Sequence, residues 1–234
     1  SNLFVWFLEK AYHDGDWISL IVPKSILNAP EYDEIREIIK NSHIKSILDF
    51  GENGFKGVKI ETVNLIFNSQ EKSDLTHVVS ITQKIDIVQQ QKYITDNNYP
   101  SWLIYRNSDF DRIAEEMQLG VFDAFRDRQI VNSMLSQTGK YRVLKSRNIG
   151  SNSIVDIAGY DSYISDINNL AVSKYINVEN VVLVPNLSYA PRACFLPKNT
   201  VANGSVAFLT LKNNNTTLSE TDLDFFATRE FRLY

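Results

Sequence analysis

The chain has 234 residues, 44% hydrophobic and 22% charged, with a formal net charge of -4, the make-up of a globular protein with room for one large domain or two modest ones. A lone cysteine, Cys194, excludes an internal disulfide and a cysteine-based zinc cluster, and three scattered histidines (His13, His43, His77) offer no metal site. No apolar run approaches the roughly 20 residues of a membrane span, and the opening residues carry no basic leader, so a reducing, cytoplasmic setting without a membrane partner is expected.

Leu3, Phe4, Phe7, Leu8 and Ala11 fall at the spacing of one helical face, and Gly15 is placed to cap that helix. Ile18 to Pro23 follows as a short strand whose near-continuous apolar run suits a parallel sheet covered on both faces. Asn28, Ala29 and Pro30 start a second helix with Ile35, Ile38 and Ile39 on its apolar side. A strand from Ile44 to Phe50 leads through a glycine-rich loop, Gly51 to Gly57, into a third strand over 61–67. Residues 77–88 alternate like a strand pair or edge hairpin, and the polar run 92–98 before Tyr99-Pro100 marks a boundary. Residues 108–119 read as a helix; beyond Gly120 the chain is strand- and loop-rich, with the clearest strands at 181–185, 193–196 and 205–211. A helix over 218–226, capped near Ser219 with Glu220 and Asp222 in its first turn, closes the pattern.

Charge is unevenly distributed. Residues 1–96 hold 10 Lys+Arg against 14 Asp+Glu, whereas 97–234 balance at 14 and 14. Within 120–150, Arg126, Arg128, Lys140, Arg142, Lys145 and Arg147 face only Asp123 and Asp127, a local basic patch hidden by the acidic total.

The loop Gly51-x-x-Gly54-x-x-Gly57 lacks the spacing of a phosphate-binding turn, and no helix opens after it, so a connection between strands is the simpler reading. Phe55, a large aromatic between glycines, either packs in the core or as a lid, or serves a ligand. Cys194, between apolar residues in a strand, reads as a small buried hydrophobe. Glu31, Asp33, Glu34 and Glu37 lie in an early helical turn, where the dipole favours them on a solvated face.

Phe7-Leu8-Glu9-Lys10-Ala11, then Gly15, Ile21-Val22-Pro23-Lys24-Ser25-Ile26-Leu27, Ile47-Leu48-Asp49-Phe50-Gly51, Phe55-x-Gly57-Val58 and Thr62-Val63 occur in one order at close spacing. Over residues 1 to about 67 this resembles the second half of the catalytic domain of restriction-modification N6-adenine DNA methyltransferases, namely type I modification subunits and type II (type IIG-like) enzymes in which recognition follows catalysis. Such enzymes bind S-adenosylmethionine at a Gly-rich loop and hold the target amine with an Asn-Pro-Pro-Tyr type motif, neither of which occurs in these 234 residues. The resemblance therefore implies a fragment of the enzyme that is inactive alone, carries no catalytic residue and is not expected to bind the cofactor by itself. It implies Phe7 near the cofactor's adenine, Phe55 stacked on a flipped target adenine, and Lys24 and Ser25 in a pocket at the carboxyl edge of the sheet.

Arg126-Asp127-Arg128-Gln129, the run from Gly139 through Lys140, Tyr141, Arg142, Lys145, Arg147 and Asn148 to Gly150, and Val184-Pro185 through Tyr189 to Arg192 are similar to the target-recognition domains of the same enzymes. The implied DNA contacts are Arg126, Arg128, Lys140, Arg142, Lys145, Arg147, Asn148 and Arg192, residue types suited to phosphates and to purine edges. The alternative for the patch is a solvated basic face. The fold expected is thus α/β, the C-terminal half of a Rossmann-like methyltransferase sheet over 1–96, followed by a mixed α+β target-recognition domain over 97–234. The partners expected are double-stranded DNA and a restriction endonuclease domain or subunit. The alternatives are a non-catalytic DNA-specificity module of the type I kind, and a scaffold domain.

Overall fold

A computed structural model describes residues 2–213 and 215–233, without the side chain of residue 233. Its helices and strands fall into two compact units, Ser1–Asn107 and Ser108–Tyr234.

In the first unit, the β-branched residues Ile18, Ile21 and Val22 favour the extended backbone of β1 (Trp17–Pro23). The strand pairs antiparallel with β3 (Thr62–Asn68) from Trp17 opposite Asn68 to Pro23 opposite Thr62. On its other side β3 pairs antiparallel with β2 (His43–Gly51), which runs parallel to β4 (Leu75–Ser80), itself antiparallel to β5 (Ile85–Gln90). The sheet order is β1-β3-β2-β4-β5. β1 and β2 therefore run parallel, joined through α2 (Asp33–Lys40), with β3 inserted between them in the opposite sense.

The sheet is mixed rather than parallel, and β1 is one of its two edge strands. Ile18 and Val22, on one face of β1, are buried, whereas Trp17 and Ile21, on the opposite face, are exposed, so the expected cover on both faces is absent at these two positions. α1 (Leu3–Asp14) differs from its expected face in the same way. Leu8 is buried and Phe4, Val5, Ala11 and Tyr12 pack on the core, while Leu3 and Phe7, one turn apart on the adjoining stripe, point to solvent. α2 buries Ile35 and Ile39 as its spacing predicts. Pro30 opens a separate 3-10 turn, Pro30–Tyr32, just ahead of it.

The boundary expected at 96 lies later, because 97–107 packs into the first unit. Trp102 and Ile104 are buried in its core with Ile94, Leu65 and Phe67. The Trp102 N–H donates to Leu27 O at 2.8 Å and Leu103 N–H to Ile94 O at 2.9 Å. The buried Arg36 ties the segment down, donating to Ile26 O at 2.7 Å, Ala29 O at 3.0 Å and Pro100 O at 3.1 Å while pairing with Asp33. A polar run before Tyr99-Pro100 looks like a linker, yet this one is followed by a tryptophan and an isoleucine that the first core needs.

The second unit opens with α4 (Ser108–Glu116), after the one-turn helix α3 (Gln91–Ile94) of the first. It holds two small sheets. One is antiparallel, in the order β10 (Cys194–Phe195), β9 (Val182–Pro185), β12 (Val206–Leu211), β6 (Phe122–Arg126). The other places β7 (Tyr141–Leu144) between β11 (Thr200–Ala202), parallel, and β8 (Ser162–Ile164), antiparallel. Val143, Leu144, Ile149, Val172, Leu183, Val201 and Phe208 form a common core, with the Tyr175 ring stacked on Phe208 at 4.8 Å. α5 (Glu220–Asp224) begins at a capping box, in which Ser219 N–H donates to Asp222 Oδ2 at 2.7 Å and Asp222 N–H returns to Ser219 Oγ. α6 (Arg229–Leu233) follows it.

Candidate functional site

The glycine loop grows out of the end of β2, and a buried carboxylate fixes its root. Asp49 is fully buried, accepts the Gly51 N–H at 2.8 Å, pairs with Lys24 Nζ at 2.8 Å and accepts the hydroxyl proton of Tyr105. Burial by itself would raise the Asp49 pKa. The hydrogen bonds from Lys24, Tyr105 and Gly51, with the Lys24 charge, outweigh it and hold the carboxyl below its ordinary range. Tyr105 is shifted up, by burial first and then by its bond to Asp49. Lys24 also reaches Glu61 at 3.5 Å, and its backbone N–H donates to Glu61 O at 2.9 Å. The cluster thus joins the end of β1, the end of β2 and the start of β3.

Two glycines of the loop have steric reasons to be there. Gly51 has a φ of 54°, and a Cβ on it would lie 2.8 Å from Thr82 Cγ2; a Cβ on Gly54 would lie 2.2 Å from Thr62 Oγ1. Phe55, between Gly54 and Gly57, is 49% exposed, with the apolar Val58 and Ile60 exposed after it. Lys24 and Ser25 lie just past the carboxyl end of β1, in the 3-10 turn Lys24–Leu27. Their roles differ. The Lys24 ammonium is held by Asp49, whereas Ser25 is exposed and its carbonyl accepts the N–H groups of Asn28 and Ala29. Phe7 is 62% exposed, on the outer side of α1 beside Leu3 and Trp6. Asp49 and Tyr105 escaped the sequence reading as site residues. A single carboxylate inside the apolar run Ile47–Phe50 was the available signal, since a buried charge needs a cation or hydrogen bonds.

The eight residues that the resemblance implies as DNA contacts, all in the second unit, divide into two groups. Arg142 is clamped by Asp156 at 2.6 Å and Asp161 at 2.8 Å. Lys145 donates to Ser162 Oγ at 2.9 Å and to Tyr160 O, and lies over the Tyr160 ring at 4.0 Å. Its burial pushes the ammonium pKa down. Asn148 is fully buried, donating to Asp161 Oδ1 at 2.7 Å and Val155 O at 3.0 Å and accepting the Lys145 N–H at 3.0 Å. Burial would raise the Asp161 pKa, but its bonds from Asn148 and Ile157 and the Arg142 charge keep it low. Arg192 ties a loop together, donating to Ile149 O at 2.5 Å, Ser146 O at 3.2 Å and Ala190 O at 3.2 Å, and to Ser188 Oγ. These four side chains hold the fold, with their donors turned inward.

The other four face solvent. Arg126 is exposed and uses Nε alone on Gly204 O, at 2.6 Å. Arg128 is exposed with no hydrogen bond or ion pair among the described residues. Lys140 is exposed, 5.0 Å from the Tyr141 ring centre, and Arg147 is exposed, 4.9 Å from that of Tyr160. Cys194 is buried, and burial pushes its thiol pKa up to about 12. Among the described residues no helix is long and apolar enough to cross a membrane.

No protein-family model matches this sequence, and no curated protein matches it. Among solved structures, the type IIL restriction-modification enzyme MmeI, determined in complex with DNA, aligns over 89% of this chain at 9% identity with a TM-score of 0.53. The type IIG restriction endonuclease BpuSI aligns over 90% at 13% identity and a TM-score of 0.40, and a type I restriction-modification assembly over 33% at 12% and 0.29. The chain spans 36% of the MmeI chain and 37% of the BpuSI chain. The MmeI similarity shows a shared mixed α/β fold.

Proposed function

We propose that the chain is part of a sequence-specific DNA adenine-N6 methyltransferase of a restriction-modification system. In this reading the first unit continues the methyltransferase sheet and supplies part of the target-base pocket, and the second unit reads duplex DNA. The observation that carries the proposal is the half-exposed Phe55, held out on a loop whose root is fixed by Asp49, Lys24 and Tyr105. A ring placed outside the core adds little to folding and suits stacking on an adenine turned out of the duplex. Ser25 and the Lys24 turn lie at the carboxyl end of a strand, where ligands of α/β sheets bind. The solvent-facing Arg126, Arg128, Lys140 and Arg147 fit phosphate contacts, and the fold shared with MmeI agrees with both parts.

The edge position of β1, with Trp17 and Ile21 exposed beside a helix that also exposes Leu3, Trp6 and Phe7, supports pairing with further strands in the intact enzyme. S-adenosylmethionine would supply the methyl group there. Phe7 fits as an apolar face for the cofactor's adenine but brings no hydrogen-bonding group, so the proposal assigns no residue of this chain to methyl transfer. A restriction endonuclease domain or subunit is the partner that goes with such an enzyme.

Two measurements test the reading. The chain should bind duplex DNA with an affinity that falls steeply with salt; no binding at low salt would remove the DNA assignment. In the intact enzyme, Phe55→Ala should slow methylation more than it weakens DNA binding, and equal effects would remove the stacking role.

A further inference from the structure

The most exposed large apolar side chains of the described residues lie together on one loop of the second unit, Leu187 at 88% and Tyr189 at 110% relative exposure. Neither packs on a core, yet the loop carrying them is tied at its base. Asn186 N–H donates to Ser205 O at 3.0 Å and its side-chain amide to Gly204 O at 2.6 Å. Ser188 Oγ donates to Ala190 O at 2.6 Å, and Arg192 reaches from Ala190 O and Ser188 Oγ across to Ser146 O and Ile149 O. Pro185 and Pro191 bracket the turn.

The ties also place positive charge around the loop. Gly204 O, which accepts from Asn186, accepts from the exposed Arg126 as well, and Ser146, which Arg192 grips, precedes the exposed Arg147. Near these the Asp127 side chain is buried and accepts the N–H groups of Gln129 and Ile130, so it does not answer the arginines at the surface. Apolar tips on a loop whose anchoring segments also carry the exposed Arg126 and Arg147 complement a duplex, whose phosphates flank a groove floored by base edges and sugars.

We propose that the loop 186–191 is a groove-probing element, in which Leu187 and Tyr189 press against base edges and sugars while Arg126 and Arg147 hold the flanking phosphates. This rests on the DNA reading above and assigns the contact to particular residues. The four-residue grip of Arg192 has a purpose in this arrangement. A loop already ordered before binding loses little freedom when its tips engage, so it holds register along the groove.

The test enriches duplexes from a random-sequence pool with the wild-type chain, then measures binding to an enriched duplex over a range of salt. Leu187→Ala/Tyr189→Ala should bind about tenfold more weakly, with the salt slope and the melting temperature unchanged, because both tips are outside the core. Arg147→Ala should instead lower the slope by about one. A double variant that binds the enriched duplex as the wild type does would overturn the groove-probing loop and leave the DNA reading standing. A wild-type chain that enriches and binds no duplex would overturn both.

Discussion

Replacing Asp49 by asparagine keeps the size of the side chain and removes its charge, and the structure says what this should do. The Asp49 carboxylate is fully buried, the Lys24 side chain is 25% exposed, and Glu61 stands 3.5 Å from the ammonium as an alternative partner. Breaking a fully buried pair by removing one partner costs roughly 3–5 kcal/mol. Partial exposure of Lys24 and the presence of Glu61 bring the expected loss to about 2 kcal/mol. For a unit of about a hundred residues this corresponds to a fall in melting temperature on the order of 10 °C, confined to the transition of the first unit. The pH dependence carries a sign. Asp49 has a folded-state pKa below its unfolded value, so its contribution is complete above about pH 4 and is lost as the pH falls through the lower, folded value. Calorimetry of wild type and variant at successive pH values should therefore show a constant gap at neutral pH that closes on strong acidification. A gap that is absent at pH 7, or one that widens in acid, would refute the account of Asp49 as the ionic root of the loop.

The two groups of basic residues in the second unit should separate experimentally. Arg147→Ala should reduce the salt slope of DNA binding by about one without altering thermal stability, whereas Arg142→Ala, which leaves Asp161 without its cation, should destabilise the unit by about 2 kcal/mol in a denaturant titration. Arg192→Ala, read by DNA titration, should weaken binding to about the same extent as removing Leu187 and Tyr189 while leaving both side chains in place, because it frees the loop that presents them. Cys194, buried with its thiol pushed up to about 12, should resist iodoacetamide at pH 8 in the native protein and react promptly once the chain is unfolded in urea; fast native alkylation would show that its strand opens readily.

Several elements were legible because local chemistry and tertiary packing agree. The hairpin of β4 and β5 follows from alternation over 77–88, and α5 starts where Ser219 and Asp222 form a capping box. The basic patch was visible as composition but not as a site. Arg142 and Arg147 are the same residue type five positions apart, and only the folded positions of Asp156 and Asp161 make one a strut and leave the other free. Strands β6, β7, β8 and β11 were missed because three to five residues are too few to show a period. The edge position of β1 could not be read from Ile18–Val22, since a run of apolar residues does not say which neighbours will pair with it. Tyr105 was out of reach because it meets Asp49 from 56 residues away.

The two loops that present aromatic side chains are built alike from different parts. Phe55 stands on a root made by Asp49, Lys24 and Tyr105; Tyr189 stands on one made by Asn186, Ser188 and Arg192. In each, the charged or polar groups lie at the base with their hydrogen bonds satisfied, and the apolar ring lies outside it. The opposite arrangement, ring inward and polar groups outward, would stabilise the unit more, because burial of an aromatic ring is the larger favourable term. The arrangement fits the proposed DNA-binding role, in which an exposed ring whose backbone is already ordered loses less freedom on engagement and so keeps more of its contact energy as affinity.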